Sequence, residues 1–424
     1  MLLRTLAAGF TLFVSATLAS QAREWTNAEG KTITADIVKA DAVNVTLKLA
    51  NGSTPTVKLS TLSRADQDFV KKWLTEQPAA PSAGKTTPSK PKPGLTDPKA
   101  PAAPLECTGF DGPWPDEAKV PEELNIETVK EDDVAKTYIY RSTHFEFTSN
   151  VQLKKRLVSS CAKIFEATHE YLRLLPLNNT LTGPNKEFFP VELFETKEQY
   201  FAAGGITGSA GVCISMGNKS KVLVPLESLG VRKSGKDYTV DPKSGNWHVL
   251  SHETTHQLMD FQTKAAIWYA EGSAEYVGCT PYTGGRFKVS TNRTAILEFL
   301  TTTGKNNDGR NLGKDIQMID MESFMAMSQD KFMTNGNTNY GLGCMLAYYF
   351  YHLDGNGDAA RVKAYLKELL AGVKEEKARE KLLDGRTYVQ MGEDFAKGMR
   401  KYSIRIKFDP RPAGSAPESK PEEE

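Results

Sequence analysis

The stretch Asn246 to Gly278, NWHVLSHETTHQLMDFQTKAAIWYAEGSAEYVG, constrains this 424-residue chain more than any other, because it gathers three of the six histidines with several acidic residues. Read as a helix, His252 and His256 are four residues apart and stand one above the other on one face, so both imidazoles can reach one metal ion. Glu253 follows the first histidine and is rotated about 100° around the helix. Its carboxylate can therefore reach a water beside the metal without displacing either imidazole.

A catalytic zinc takes three protein ligands and keeps an open position, so the two histidines need a partner. Glu271 comes 15 residues after His256, in WYAEGSAEY, whose apolar Trp268, Tyr269, Ala274 and Val277 read as a second helix packed on the first. A helix, a short turn and a returning helix bring Glu271 to the metal. Glu275, one turn further on the same face, is placed to hydrogen-bond the free nitrogen of a ligating histidine. His248, one turn before His252, is a competing third donor, although three donors on one helical face rarely reach a tetrahedral spread.

HETTHQLMD and WYAEGSAEY together resemble the gluzincin metallopeptidases, in particular the peptidase-MA-like branch marked by W-x-x-E-G-x-A-E-Y. The resemblance implies an α+β zincin-like fold and a Zn2+ site with ligands His252, His256 and Glu271. It further implies Glu253 as general base, Glu275 behind a ligand, and Asp260 as an acidic position after the motif. Tyr340 loosely resembles a tyrosine whose phenol stabilises an oxyanion in related domains, against the reading of a buried aromatic. The implied activity is hydrolysis of a peptide or protein substrate. Two other readings stay open: a catalytically silent scaffold that binds envelope proteins, and a zinc amidase acting on a non-protein amide.

The rest of the chain sets the context. With 53 basic and 52 acidic side chains there is no bulk field to gather nucleic acid, and no nucleic-acid partner is expected. Residues 1–22 place Arg4 before an apolar run and end in small residues, the layout of a cleavable secretory signal, so the chain is expected to be exported to periplasm, cell surface or medium, with no membrane span after cleavage. Five cysteines, Cys107, Cys161, Cys213, Cys279 and Cys344, are widely spaced. In an exported protein they can form one or two disulfides, but their pairing is not readable from spacing.

From Arg23 to Gln77 the apolar residues alternate in period two, with Asn51-Gly52 as a hairpin turn. Its opening Arg-Glu-Trp and its ending LSTLSRADQDFVKKWL resemble the Sla-type homology domain, which implies a small SH3-like β-barrel and a protein partner for this module. Residues 78–104 hold eight prolines and read as an extended linker. Residues 105–408 are expected to form the catalytic domain, largely helical in its second half, and 409–424 a disordered acidic tail. Within that domain TYIYRSTHFEFTSN reads as one strand, and KVLVPLESL (221–229) either as the strand at the cleft edge or as an ordinary core strand. The glycine-rich 203–211 lacks the lysine-serine pair of a phosphate loop, and Asp354–Asp358 lacks the sixth-position glycine of a calcium loop.

Overall fold

The structure is a computed structural model that describes residues 23–26, 31–40, 44–49, 53–63, 65–67, 69–70, 109–179, 188–216, 219–241, 243–259, 265–304 and 308–410. The signal-like segment, the Pro-rich stretch, Asn51-Gly52, Cys107, Asp260 and the tail beyond 410 lie outside the described residues. The chain divides into two units, Met1–Leu95 and Thr96–Glu424.

In the first unit four strands, β1 (Arg23–Thr26), β2 (Thr32–Ala40), β3 (Asn44–Leu49) and β4 (Thr56–Lys58), pair in that order as an antiparallel meander. The period-two pattern sends Trp25, Val45 and Leu47 to one face, where all three are fully buried. The Trp25 indole donates to Ala35 O at 3.0 Å. Buried Asp66 accepts from Thr26 N–H and Ser63 Oγ, both at 2.8 Å, which fastens the end of the module to its start. Among the described residues the sheet is open, since β1 and β4 do not pair.

The second unit is a mixed α and β structure. Its short β5 (Ala118–Lys119) precedes a six-stranded sheet of β6 (Glu127–Asp132), β7 (Thr137–Arg141), β8 (Phe145–Ser149), β9 (Phe189–Phe194), β10 (Val212–Met216) and β11 (Lys219–Pro225). The order across it is β10-β11-β9-β8-β7-β6, with β11, β9 and β8 mutually parallel and the other pairs antiparallel. The segment expected to be one strand is a hairpin, β7 and β8. Its turn is pinned by buried Glu166 of helix α1 (Lys155–Leu174), which accepts from Ser142 Oγ at 2.6 Å and from the His144 N–H at 2.8 Å. A buried polar turn of this kind leaves no local sign in the alternation pattern.

Of the two readings of residues 221–229, the core strand is the one found. Lys219–Pro225 lies between β10 and β9, and 226–229 leaves the sheet as a 3-10 turn. On this side of the sheet the edge strand is β10. Leading into it, the chain turns after α2 (Lys197–Ala202) through a glycine-rich loop that Tyr200 organises, its phenol 2.5 Å from Ser209 Oγ and 3.3 Å from Ile206 N.

Against this sheet pack α1 and α3 (Trp247–Met259), then α4 (Ile267–Gly278) on α3. After α5 (Asn292–Thr301), α6 (Met321–Met325) and α7 (Gln329–Thr334) comes α8 (Gly336–His352), which crosses α4. Glycine makes that crossing possible: a Cβ on Gly272 would lie 2.3 Å from Gly343 O. From Asn292 to Arg400 the described residues are mostly helical. No helix among the described residues is long and apolar enough to cross a membrane.

Candidate metal centre

Helix α3 is buried almost all round, which is why its sequence shows no clean apolar stripe. Its hydroxyl side chains fold back on the preceding turn, Ser251 Oγ to Trp247 O at 2.8 Å, Thr254 Oγ1 to Leu250 O at 2.6 Å and Thr255 Oγ1 to Ser251 O at 2.8 Å, so they bring no unpaired donors inside. Gln257 Nε2 donates to Pro190 O of β9 at 2.7 Å and fixes the helix to the sheet. Leu250 and Leu258 fill the contact between them. These anchors set the height and rotation of the two histidines.

Three donor atoms converge. His252 Nε2 and His256 Nε2 are 3.0 Å apart, His256 Nε2 is 3.0 Å from Glu271 Oε2, and His252 Nε2 is 3.2 Å from the same oxygen. Zinc with bonds of about 2.0–2.1 Å and tetrahedral angles sets its donors roughly 3.3 Å apart, so the triangle has the dimensions and the two-nitrogen, one-oxygen composition such an ion takes. Hydrogen bonding alone is a poor account of it, because two imidazole nitrogens and a carboxylate oxygen compete for the same protons. Burial opposes charge on His252, yet Glu271 and Glu275 outweigh it and push the imidazole up to about 10. Burial likewise opposes charge on Glu271, but His256 and His252 hold it well below the usual carboxylate range. The pocket thus stabilises positive charge.

Glu275, almost fully buried, stands behind this triangle. Its Oε1 lies 3.2 Å from His252 Nδ1, off the line of a well-formed hydrogen bond, and that nitrogen has no other partner among the described residues. The same oxygen is 3.4 Å from His248 Nε2 and accepts from Arg310 Nη2 at 2.7 Å. Burial would raise Glu275, but His248 and His252 keep it well below the usual range. His248 therefore faces Glu275 and stacks on Phe299 at 4.4 Å; it does not enter the triangle. Arg310 also lies over the Tyr340 ring at 5.0 Å.

Glu253 is half-buried on the side of α3 that faces the sheet edge, and its Oε2 accepts the Cys213 N–H of β10 at 2.7 Å. The bond shows that the edge strand runs directly beside this carboxylate. Tyr340 lies in the second turn of α8 with its ring 5.9 Å from that of His252. Its phenol is pushed well above the ordinary range by burial and then by Glu271 and Glu253, and it donates to Met333 Sδ at 3.7 Å. The structure thus brings His252, His256, Glu271, Glu253, Glu275 and Tyr340 together, while Asp260 lies outside the described residues.

Two contributors escaped the sequence reading. Arg310 sits in a loop 35 residues from Glu275 and carries no local motif. The β10 edge was hidden because Val212–Met216 and Lys219–Pro225 are both apolar enough to be interior strands, and only their pairing tells them apart.

No family model matches the chain, and no curated protein matches it in sequence. Among solved structures it is similar to the M1 zinc metallopeptidase from Deinococcus radiodurans, with a TM-score of 0.30 and 11% identity over 69% of this chain. A mutant of the same enzyme matches with a TM-score of 0.26 and 11% identity over 68%. The chain spans about half the length of these structures, 55% and 54%. Similarity this distant assigns no activity, and the functional reading stands on the site itself.

Proposed function

We propose that the chain is an exported zinc-dependent metallopeptidase. The observation that carries this reading is the triangle of His252 Nε2, His256 Nε2 and Glu271 Oε2, with edges of 3.0 to 3.2 Å and the Glu253 carboxylate alongside. The three residues would hold the zinc, which would supply Lewis acidity toward a peptide carbonyl and water. Glu253 takes the proton from the attacking water on its carboxylate and passes it to the leaving amine. The Cys213 N–H fixes one oxygen of that carboxylate and leaves the other for the proton. Glu275 orients His252 through Nδ1, and Arg310 pairs with the buried Glu275 carboxylate at 2.7 Å. The Tyr340 phenol, protonated throughout the neutral range, is the donor available to a developing oxyanion. The N-terminal module recruits a protein partner, and its β meander is the core of an SH3-like fold.

The test is metal content followed by turnover. About one zinc per chain in elemental analysis of the mature protein, with peptide cleavage that Glu253→Gln lowers by at least ~100-fold while zinc stays bound, is the expected result. A chain that takes up no zinc, or a Glu253→Gln protein with full activity, overturns the proposal.

A further inference from the structure

Of the methionines among the described side chains, Met333 alone is exposed, at 52%, while those of the core such as Met325 and Met345 are buried. It lies near the end of α7, and its neighbour fixes it there: Phe332 is fully buried, and Phe332 O accepts from Asn339 Nδ2 of α8 at 2.7 Å. The Met333 sulfur accepts the Tyr340 hydroxyl at 3.7 Å. The Tyr340 ring is itself held, with Phe332 edge-on at 5.4 Å, the Arg310 guanidinium over it at 5.0 Å and the His252 ring 5.9 Å away. With the ring fixed, the hydroxyl hydrogen can only swing about the C–O bond and choose between acceptors.

We infer that Met333 is an oxidation site whose sulfoxide captures the Tyr340 phenol. A thioether sulfur is a weak acceptor, so the hydroxyl leaves it readily for a stronger one. A sulfoxide is polar, and its oxygen holds the same hydrogen firmly. The distance of 3.7 Å suits the exchange, because an oxygen one bond out from the sulfur and bent towards the phenol falls at the ordinary O–H···O distance of about 2.7 Å. The consequence for turnover rests on the peptidase reading above, in which the phenol serves a developing oxyanion: the sulfoxide competes for its hydrogen and slows cleavage.

The step is oxygen transfer from a peroxide. The sulfur lone pair attacks one oxygen of hydrogen peroxide and the O–O bond breaks. The sulfur-bound hydroxyl then gives its proton to the displaced hydroxide, which leaves as water. Sulfur loses two electrons and the peroxide gains them. Met333 is open to such a small oxidant, and the buried methionines are shielded from it.

The experiment treats the zinc-loaded mature chain with hydrogen peroxide at mildly acidic pH, where thiols stay protonated and react slowly, and maps the products by mass spectrometry. Met333 should gain one oxygen before any other methionine. Peptide cleavage at neutral pH should then fall roughly 3–10-fold in kcat, the scale of one hydrogen bond, with KM and zinc content unchanged. Methionine sulfoxide reductase should restore it. Met333→Leu should keep after peroxide the rate it had before, and Tyr340→Phe should lose nothing further. Earlier oxidation of another methionine, full kcat in the oxidised wild type, or an equal loss in Met333→Leu overturns the inference. The contact is also read without activity, by NMR of protein labelled at the methionine methyl groups. The Met333 sulfoxide resonance, identified by its absence in Met333→Leu, should shift in Tyr340→Phe. An unmoved resonance overturns the inference whether or not the chain cleaves peptides, whereas a shift in a chain without peptidase activity refutes the peptidase reading alone.

Discussion

Replacing Glu275 by glutamine tests whether the carboxylate behind the triangle orients a ligand or merely fills space. The substitution keeps the shape and one acceptor oxygen but removes the charge. The group is 1% exposed and lies 2.7 Å from Arg310 Nη2, 3.4 Å from His248 Nε2 and 3.2 Å from His252 Nδ1. Loss of a carboxylate behind a metal-bound histidine typically weakens metal binding by about 10–100-fold, or about 1.4–2.7 kcal/mol. The same change turns the Arg310 contact from a charge pair into a charge-to-neutral hydrogen bond. Because the Arg310 side chain is 21% exposed, water recovers part of that loss, and a stability cost of about 1–2 kcal/mol is expected for the metal-free protein. Zinc affinity is read by competition with a chromogenic chelator, and stability by urea unfolding of the metal-free chain. A zinc affinity within about twofold of wild type would refute the orienting role, whatever the stability shows. Lowered stability with unchanged affinity would leave Glu275 as the partner of Arg310 alone.

The other predictions follow from particular contacts. Gly272→Ala puts a methyl 2.3 Å from Gly343 O, a backbone atom that cannot rotate away, so α4 and α8 must separate and the loss should be at least ~2 kcal/mol in urea unfolding; wild-type stability would show that the crossing is not rigid. Glu166 should govern acid sensitivity: burial opposes its charge, but His144 and Ser142 hold its carboxyl below the usual range. A carboxylate lowered on folding contributes its stability above the unfolded value of about 4.3 and loses it as pH falls through the lower folded value, so Glu166→Gln should be less stable at pH 7 and show a flatter decline below about pH 4. Parallel stability curves for the two proteins would contradict that. Trp25→Ala removes the fully buried centre of the first unit and should cost about 3–5 kcal/mol of that unit's unfolding free energy, as read by the loss of its own transition in calorimetry; an unchanged transition would contradict its place in the core.

Much of the centre was legible because it is local. His252, Glu253 and His256 share one helix, so their relative geometry follows from 3.6 residues per turn, and Glu271 and Glu275 are spaced by one turn on the next. Period-two alternation likewise marked the strands of the first unit. What sequence left open were choices between donors and between partners. His248 has the same four-residue spacing to His252 that His256 has, and only the return of α4 decides that His256 faces Glu271 while His248 faces Glu275. The hairpin at Ser142–His144 depends on a carboxylate from α1, 22 to 24 residues away.

The chain by itself determined the chemistry of the donors and their order along two helices, because covalent spacing and helical pitch are properties of neighbours. Tertiary structure alone decided which strand is the edge beside Glu253, that Arg310 arrives from a distant loop to balance Glu275, and that Gly272 and Gly343 let α8 bring Tyr340 and Cys344 against α4. Those outcomes depend on packing and charge compensation between segments far apart in sequence, where no local periodicity exists to be read.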